Sequence, residues 1–199
     1  MKKTIILIAG KKRSGKNYTA EMLQNMFLRK NIFCETFSFA EPLKDIVAKT
    51  FLITPLELED YKNNPNRYKI MLKDNEGNNS RIFTDFRQVL NDLGTPIMKS
   101  YFGENVWVNL IENKIKKSQS NVILIPDFRF PIEKLQMKDT KVITIRVNKE
   151  GLSHSDLVSE NSLNDFVFDY EIDNNVEGYS KLIIQLEGII ENILEENNK

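Results

Sequence analysis

Residues 4–17 read TIILIAGKKRSGKN, a short apolar run that leads into two glycines and a lysine. The run 4–9 is typical of a buried strand, and Gly10, Gly15 and Lys16 have the spacing G-x-x-x-x-G-K. Glycines allow backbone N–H groups to converge on a phosphate at the point where a loop enters a helix. The stretch therefore predicts a strand, a phosphate-binding loop and a helix, in that order.

The loop and the start of the helix supply the expected contacts to a nucleoside triphosphate. Lys16 would begin the helix with its ammonium beside the β and γ phosphates, where it can stabilise charge during transfer. Asn17 stands where a Ser or Thr usually gives Mg²⁺ a hydroxyl ligand, and its amide oxygen can serve directly or through water. The alternative is a glycine turn with solvated lysines. The residues expected at the nucleotide are Gly10, Arg13, Ser14, Gly15, Lys16, Asn17 and Tyr18.

Apolar runs alternate with helical patterns along the chain, which predicts parallel strands with helices on both faces. The expected fold class is α/β, a P-loop NTPase three-layer sandwich with a parallel sheet of about five strands. Strands are expected at 4–9, 34–39, 122–126, 142–147 and 168–172. Helices are expected at 18–30, 42–51, 84–93 with Gly94 as the C-cap, 107–115 and 182–194.

The chain is expected to form one domain, 1–199, with two specialised segments. An acceptor-binding insertion is expected around 40–110, and within it the polar residues 61–80 predict a mobile flap. A lid is expected around 128–141, where Lys134 and Lys138 at helical spacing could close over the phosphates and exclude water. His154 has no sequence-near partner and is expected in a loop.

Composition narrows the function classes. The 28 basic residues balance 28 acidic ones, so no overall positive field would steer the chain to a nucleic-acid polymer or an anionic membrane. No stretch approaches the roughly 20 apolar residues of a membrane span. The single cysteine, Cys34, cannot form an internal disulfide and is expected to be buried filler, in line with a reducing compartment. We therefore expect a soluble cytoplasmic protein, in the host cytoplasm if the chain is viral.

A carboxylate is expected beside the metal at the end of a strand neighbouring the first. Asp127 follows the strand 122–126, and we expect it to hold Mg²⁺ through a metal-bound water. Arg129 lies two positions further, so on an extended chain both side chains point to the same side. The pair could therefore serve metal and phosphate from one edge. A strand-end turn with a surface ion pair is the alternative.

The acceptor side is predicted from the segment between the second and third strands. Lys44 lies in the first turn of a helix that follows a strand, where it could clamp an acceptor phosphate or stay solvated. Arg87, Asn91 and Thr95 are spaced by four, which places the first two on one face of a helix and Thr95 at its end. This polar stripe predicts a pocket for a base and sugar. Two roles are open for Trp107: it could pack in the hydrophobic core, or it could line that pocket.

Several of these stretches, taken in chain order, resemble the deoxynucleoside monophosphate kinases of large DNA bacteriophages. The resemblance covers nearly the whole chain, although the middle insertion is shorter here and most intervening residues differ. Two departures stand out: Asn17 replaces the family's usual Asp, and Gln88 replaces a second basic residue after the Arg87 position. The stretches are IAGKKRSGKN at 8–17, FAEPLK at 39–44, the segment 87–95 with Trp107-Val108, IPDFR at 125–129, and 154–160 with the terminal strand and helix.

This resemblance implies transfer of the ATP γ-phosphoryl to a deoxynucleoside 5′-monophosphate, giving the diphosphate, with ATP and Mg²⁺ bound. It implies that Lys16 and Arg129 contact phosphates and that Asp127 lies near the metal. The residues implied around the acceptor are Lys44, Arg87, Asn91, Gly94, Thr95, Trp107 and Glu160.

Two other functions remain open at the level of the sequence. A phosphate loop does not name the acceptor, so a dephospho-coenzyme A or phosphomevalonate kinase would share it. A nucleotide-binding switch or assembly subunit with a protein partner would share it as well. The apolar C-terminal helix could bury a homodimer interface, but core packing explains the same residues.

Overall fold

The computed structural model describes residues 3–137, 140–152, 161–175 and 179–197. Strands and helices alternate along most of it. In chain order the elements are β1 (Thr4–Ala9), α1 (Lys16–Arg29), β2 (Cys34–Thr36), α2 (Glu41–Thr50), α3 (Pro55–Asn63), β3 (Ile70–Lys73), β4 (Asn79–Phe83), α4 (Phe86–Asp92), a π-helical turn (Leu93–Ile97), α5 (Met98–Phe102), α6 (Val106–Lys117), β5 (Val122–Ile125), α7 (Pro131–Leu135), β6 (Lys141–Asn148), β7 (Tyr170–Asp173) and α8 (Tyr179–Asn197).

Five strands form one parallel sheet in the order β2-β5-β1-β6-β7. The first strand lies at its centre, with Leu7 opposite Ile125 on one side and Thr144 on the other. Because the strands are parallel, the carboxyl ends of β1 and β5 lie at the same edge of the sheet. Helices cover both faces, and the predicted α/β fold class, a three-layer sandwich around a parallel sheet of about five strands, is confirmed.

Burial on both faces explains why β1 is apolar without alternation. Ile6 and Ile8 belong to a core cluster that includes Leu23 of α1 and Leu186 of α8. Ile5, the neighbour of Ile6 in the strand, is buried as well. The predicted burial of Cys34 is confirmed, and that burial raises the pKa of its thiol to about 12.

The chain divides into two compact units. Unit 1 is Met1–Phe39 with Ile111–Lys199, and unit 2 is Ala40–Leu110. Unit 1 contains the parallel sheet, whereas unit 2 has its own apolar core on α2, α3 and α4. In that core the Phe51 ring meets the rings of Phe83 and Phe86 edge-on, with centroids 5.2 Å apart in both pairs.

The second strand is shorter than predicted, ending at Thr36 and not at Phe39. Phe37 still donates its N–H to Leu124 O at 2.9 Å. Phe39 instead donates its N–H to Asp127 Oδ1 at 3.0 Å, and the Ser38 hydroxyl donates to Asp127 Oδ2 at 2.7 Å. The strand therefore ends because a side chain, and not the neighbouring strand, takes the next hydrogen bonds.

The stretch 61–80, predicted to be a mobile flap, contains regular secondary structure, and its mobility remains a prediction. The helix α3 runs into its start, and the antiparallel hairpin of β3 and β4 fills the rest. Thr54 caps α3 in a capping box with Glu57, and Pro55 is its first residue. The hairpin turn closes through hydrogen bonds of Asp74 with Gly77 and Asn78, and Gly77 has a φ of 83°.

The prediction that a helix ends at Gly94 is wrong. After α4 the chain continues through the π-helical turn into α5, which ends at Gly103 with a φ of 92°. Pro96 has no N–H to donate along the helix, and the wider turn lets Met98 donate its N–H to Leu93 O. A Cβ at Gly94 would lie 2.5 Å from Leu43 Cδ2, so the Leu43 side chain would have to shift to admit one.

Among the residues described, no helix is long and apolar enough to cross a membrane.

Candidate active site

The loop between β1 and α1 has the backbone conformation that its glycines predict. Gly10, Arg13 and Gly15 have positive φ angles of 147°, 66° and 102°. A Cβ at Gly10 would lie 2.5 Å from Val147 O and 2.6 Å from Ser14 Oγ. Glycine is therefore required at this position, both for its φ angle and for the close approach of two neighbours.

The start of α1 is open to an anion. Its N-cap is Gly15, which has no side chain to accept from the first turn, and the first turn contains no acidic residue. The first N–H groups of a helix have no intrahelical acceptors, and the helix dipole is positive there. A phosphate group supplies acceptor oxygens and negative charge of the kind that a helix start favours.

Lys16 lies over the loop that precedes it. Its Nζ donates to Gly10 O at 2.7 Å and to Lys11 O at 2.8 Å. The loop carbonyls thus hold the ammonium next to the backbone that would surround a phosphate. Contact of this ammonium with the β and γ phosphates remains a prediction.

The other predicted nucleotide contacts differ in exposure. Arg13, Asn17 and Tyr18 are exposed, whereas the Ser14 side chain is fully buried. Ser14 would therefore meet a ligand only through its backbone. Asn174 was missed by the sequence analysis: its Nδ2 donates to Ser14 O at 2.8 Å, and its N–H donates to Asn148 O at 2.9 Å.

Asp127 follows β5, half-buried, with each carboxylate oxygen accepting one of the hydrogen bonds from Ser38 and Phe39. Within the described ranges, no group of three or more His, Cys, Asp or Glu side chains is placed to hold a metal ion. Mg²⁺ is usually held by one or two carboxylates together with substrate phosphates and water. That Asp127 and Asn17 hold such an ion together with a nucleotide remains a prediction.

The backbone of Arg129 is held from both sides. Its N–H donates to Glu133 Oε2 at 2.7 Å, and its C=O accepts from the Ser162 hydroxyl. The N–H of Phe130 donates to the same Glu133 oxygen at 3.0 Å. Burial raises the pKa of Glu133 to about 7, against these hydrogen bonds, which lower it. The Arg129 side chain itself is exposed.

The predicted lid contains only one short helix in the part that the structure describes. Lys134, on α7, lies 3.4 Å from Asp169 Oδ2, and its Nζ is 5.6 Å from the centroid of the Phe166 ring. Lys138 lies outside the described residues, as do His154 and Glu160. Closure of this segment over a ligand remains a prediction.

The predicted acceptor residues all belong to unit 2, except Glu160. Lys44 pairs with Glu59, with Nζ and Oε1 2.6 Å apart, and Arg87 donates to Asn63 Oδ1 at 3.4 Å. Asn91 is exposed. Thr95 lies in the π-helical turn.

Trp107 is half-buried and packs against the apolar core of unit 2. Its Nε1 donates to Gly94 O at 3.0 Å. The side chain thus links α6 to the π-helical turn. A structural role for this tryptophan follows from these contacts, whatever its role at an acceptor.

Some solved structures of low identity span nearly the whole chain. The APS kinase CysC of Mycobacterium tuberculosis, in complex with AMPPNP and APS, has a TM-score of 0.49 and 9% identity, covering 98% of each chain. A cysteine-to-alanine mutant of that kinase has a TM-score of 0.48, with the same identity and coverage. A proposed plasmid partition protein of Borrelia burgdorferi B31, bound to AMPPNP, has a TM-score of 0.40 and 14% identity, covering 98% of this chain and 100% of its own.

No protein-family model and no curated protein matches the chain. The structural likenesses assign neither a substrate nor a partner to it.

Proposed function

We propose that this chain is a kinase that transfers the γ-phosphoryl group of ATP to a deoxynucleoside 5′-monophosphate. The observation that carries the proposal is the loop at 10–16, where Lys16 Nζ lies on the carbonyls of Gly10 and Lys11 beside a helix start without a side-chain cap. Such a loop binds phosphates through backbone N–H groups and adds one mobile positive charge. The deoxynucleotide acceptor rests on the resemblance of the sequence.

The chemistry needs no covalent intermediate on the protein. An oxygen of the acceptor's phosphate attacks the γ phosphorus, the bond to the β–γ bridging oxygen breaks, and ADP leaves. Positioning and charge neutralisation then account for most of the acceleration. Lys16 and Arg129 serve as the cationic groups at the transferred phosphoryl. Mg²⁺, held near Asp127 and Asn17, would neutralise charge on the phosphates when bound.

The arrangement of Arg129 supports its assignment. An arginine that stabilises a transition state acts best when its backbone is already fixed, because less entropy is then lost on reaching the reacting group. Glu133 accepts from the N–H of Arg129 and Ser162 donates to its C=O, so the backbone of Arg129 is fixed on both sides while the guanidinium stays exposed.

A coupled assay of ADP release tests this function. Purified protein is given ATP, Mg²⁺ and each of the four deoxynucleoside and four ribonucleoside monophosphates in turn. We expect ADP release that depends on at least one deoxynucleoside monophosphate and falls at least about a hundredfold in Arg129→Ala. The matched control is Arg29→Ala, which removes an exposed arginine at the end of α1.

The same assay separates the alternatives. If none of the eight acceptors stimulates ADP release, the proposal is contradicted. Dephospho-coenzyme A and phosphomevalonate would then be tested as acceptors. ADP release at the same slow rate with and without every acceptor would indicate a nucleotide-binding switch.

A further inference from the structure

Glu59 joins two lysines in unit 2. Its Oε1 lies 2.6 Å from the Nζ of Lys44 on α2, and its Oε2 pairs with the Nζ of Lys62, three residues further along α3. Burial alone would raise the pKa of Glu59, but the hydrogen bonds from both lysines outweigh it and lower that pKa. Two ammonium groups are thus held close together on one carboxylate.

Arg87 adds a third positive charge beside this pair. Its guanidinium donates to the side chain of Asn63, the residue after Lys62. The Lys62 side chain is only 17% exposed, and its pKa is lowered first by burial and then by the charges of Lys44 and Arg87. Lys62 was not anticipated from the sequence, because it lies in the stretch interpreted as a flap.

Within the part of the chain that the structure describes, Glu59 is the carboxylate that pairs with the two lysines, so three positive charges share one paired negative charge. Two neighbouring carboxylates have other partners: Asp60 pairs with Arg67 and accepts from Tyr68 and Asn64, and Asp85 caps the start of α4. Holding like charges together on a partly buried surface costs free energy unless an anion lies between them. A phosphate monoester carries about two negative charges at neutral pH, which matches the excess left after Glu59.

We propose that Lys62, together with Lys44 and Arg87, binds the 5′-phosphate of the acceptor, and that Glu59 is a positioning residue for the two ammonium groups. This inference rests on the proposed function, because it assigns the phosphate to the acceptor nucleotide. A carboxylate that accepts from two ammonium groups shows that both can reach one anion. A phosphate offers three acceptor oxygens to the same donors.

The test measures the KM for the acceptor in single-residue variants. Lys62→Gln keeps most of the side chain but removes the charge, and we expect the KM for the best deoxynucleoside monophosphate to rise about tenfold or more. The KM for ATP should stay within about twofold. Lys49→Gln, at an exposed lysine in the last turn of α2, is the matched control and should leave both constants unchanged.

A second variant separates phosphate binding from a structural ion pair. Glu59→Gln breaks the pair with Lys62, as Lys62→Gln does, and also the pair with Lys44, but it leaves the positive charges in place. We expect it to keep most of the preference for a deoxynucleoside monophosphate over the unphosphorylated deoxynucleoside, measured by calorimetry without ATP, because the charges remain and only their positioning is lost. Lys62→Gln, by contrast, should lose about tenfold of that preference. An unchanged preference in Lys62→Gln would overturn the inference, as would equal losses in both variants.

Failure of this inference is distinguishable from failure of the proposed function. If deoxynucleoside monophosphates are phosphorylated and Lys62→Gln has a normal KM, the function stands and the phosphate site falls. If no monophosphate is phosphorylated, inorganic phosphate is titrated instead. If inorganic phosphate binds the wild type but not Lys62→Gln, the anion site stands and its assignment to the acceptor nucleotide falls.

Discussion

Asn174 ties the phosphate loop to the far end of the sheet. Its side chain donates to Ser14 O, and a Cβ at Gly15 would collide with the same amide nitrogen. The two partners are 160 positions apart, so no local pattern in the sequence could indicate the contact. Asn174 therefore helps to hold the loop in shape although it lies outside the motif.

We expect Asn174→Ala to weaken ATP binding selectively. Loss of a neutral hydrogen bond of this kind costs about 1 kcal/mol, which corresponds to a rise of about fivefold in the KM for ATP. The KM for the acceptor should not change. Steady-state kinetics with each substrate varied in turn provide the measurement. Asn164→Ala, at an exposed asparagine, serves as the control, and an unchanged KM for ATP in Asn174→Ala would contradict this role.

Trp107 offers a second test at a single side chain. Trp107→Phe keeps an aromatic ring against the core of unit 2 but removes the N–H that donates to Gly94 O. We expect the free energy of unfolding to fall by about 1 kcal/mol, measured by urea denaturation. Unchanged stability would mean that water or another donor bonds to the Gly94 carbonyl in its place, and that the hydrogen bond of Trp107 does not stabilise the fold.

The short helix α7 makes stability depend on pH through Glu133. Burial raises the pKa of this carboxyl from its ordinary value of 4.5 to about 7 in the folded chain. Below pH 4.5 the carboxyl is protonated in both the folded and the unfolded chain, and its contribution to the free energy of unfolding is fully present. As the pH rises through about 7 this contribution is lost, because the unfolded chain releases the proton more readily.

Glu133→Gln should remove this dependence, since glutamine does not titrate. We expect the wild type to lose up to about 3 kcal/mol of stability relative to Glu133→Gln between pH 4.5 and 7. Denaturation of both proteins by urea at intervals across this range gives the difference, in which the other titrating groups cancel. Parallel stability curves would show that the pKa of Glu133 in the folded chain stays at its ordinary value.

Elements with a local signal were predictable, and those that depend on distant partners were not. The apolar runs of β1 and β5 predicted two strands of a parallel sheet, because a strand covered on both faces is apolar without alternation. The signal for α3 was present in Thr54, Pro55 and Glu57, a capping box with proline at the first position, but the polar stretch that follows concealed it. The end of β2 depends on Asp127, which lies 88 positions from Phe39.

The candidate site follows the same division. Lys16 lies where its motif predicts, because the loop and the helix that position it are adjacent in sequence. Glu133 and Ser162 hold Arg129 through its backbone, which the sequence does not encode as a motif. Lys62 became visible only when α3 and α2 brought it to Glu59 together with Lys44.

At the level of the molecule, the two units are expected to respond to different ligands. Hydrogen exchange of the intact chain provides the measurement. ATP alone should slow exchange in unit 1 at 10–19, whereas a deoxynucleoside monophosphate alone should slow it in unit 2 around Lys44, Lys62 and Arg87, because a bound ligand opposes local opening. Protection by the monophosphate in unit 1 alone would contradict the assignment of the acceptor to unit 2.

The most direct test of the central claim follows the transferred group itself. ATP labelled with ³²P in the γ position is mixed with excess protein, Mg²⁺ and each deoxynucleoside monophosphate, and the products are separated by chromatography. We predict labelled deoxynucleoside diphosphate from the wild type and from Lys30→Ala, an exposed control at the end of α1, and at least about a hundredfold slower labelling with Lys16→Ala. Absence of labelled diphosphate from the wild type with every acceptor, or an unchanged rate in Lys16→Ala, would contradict the account.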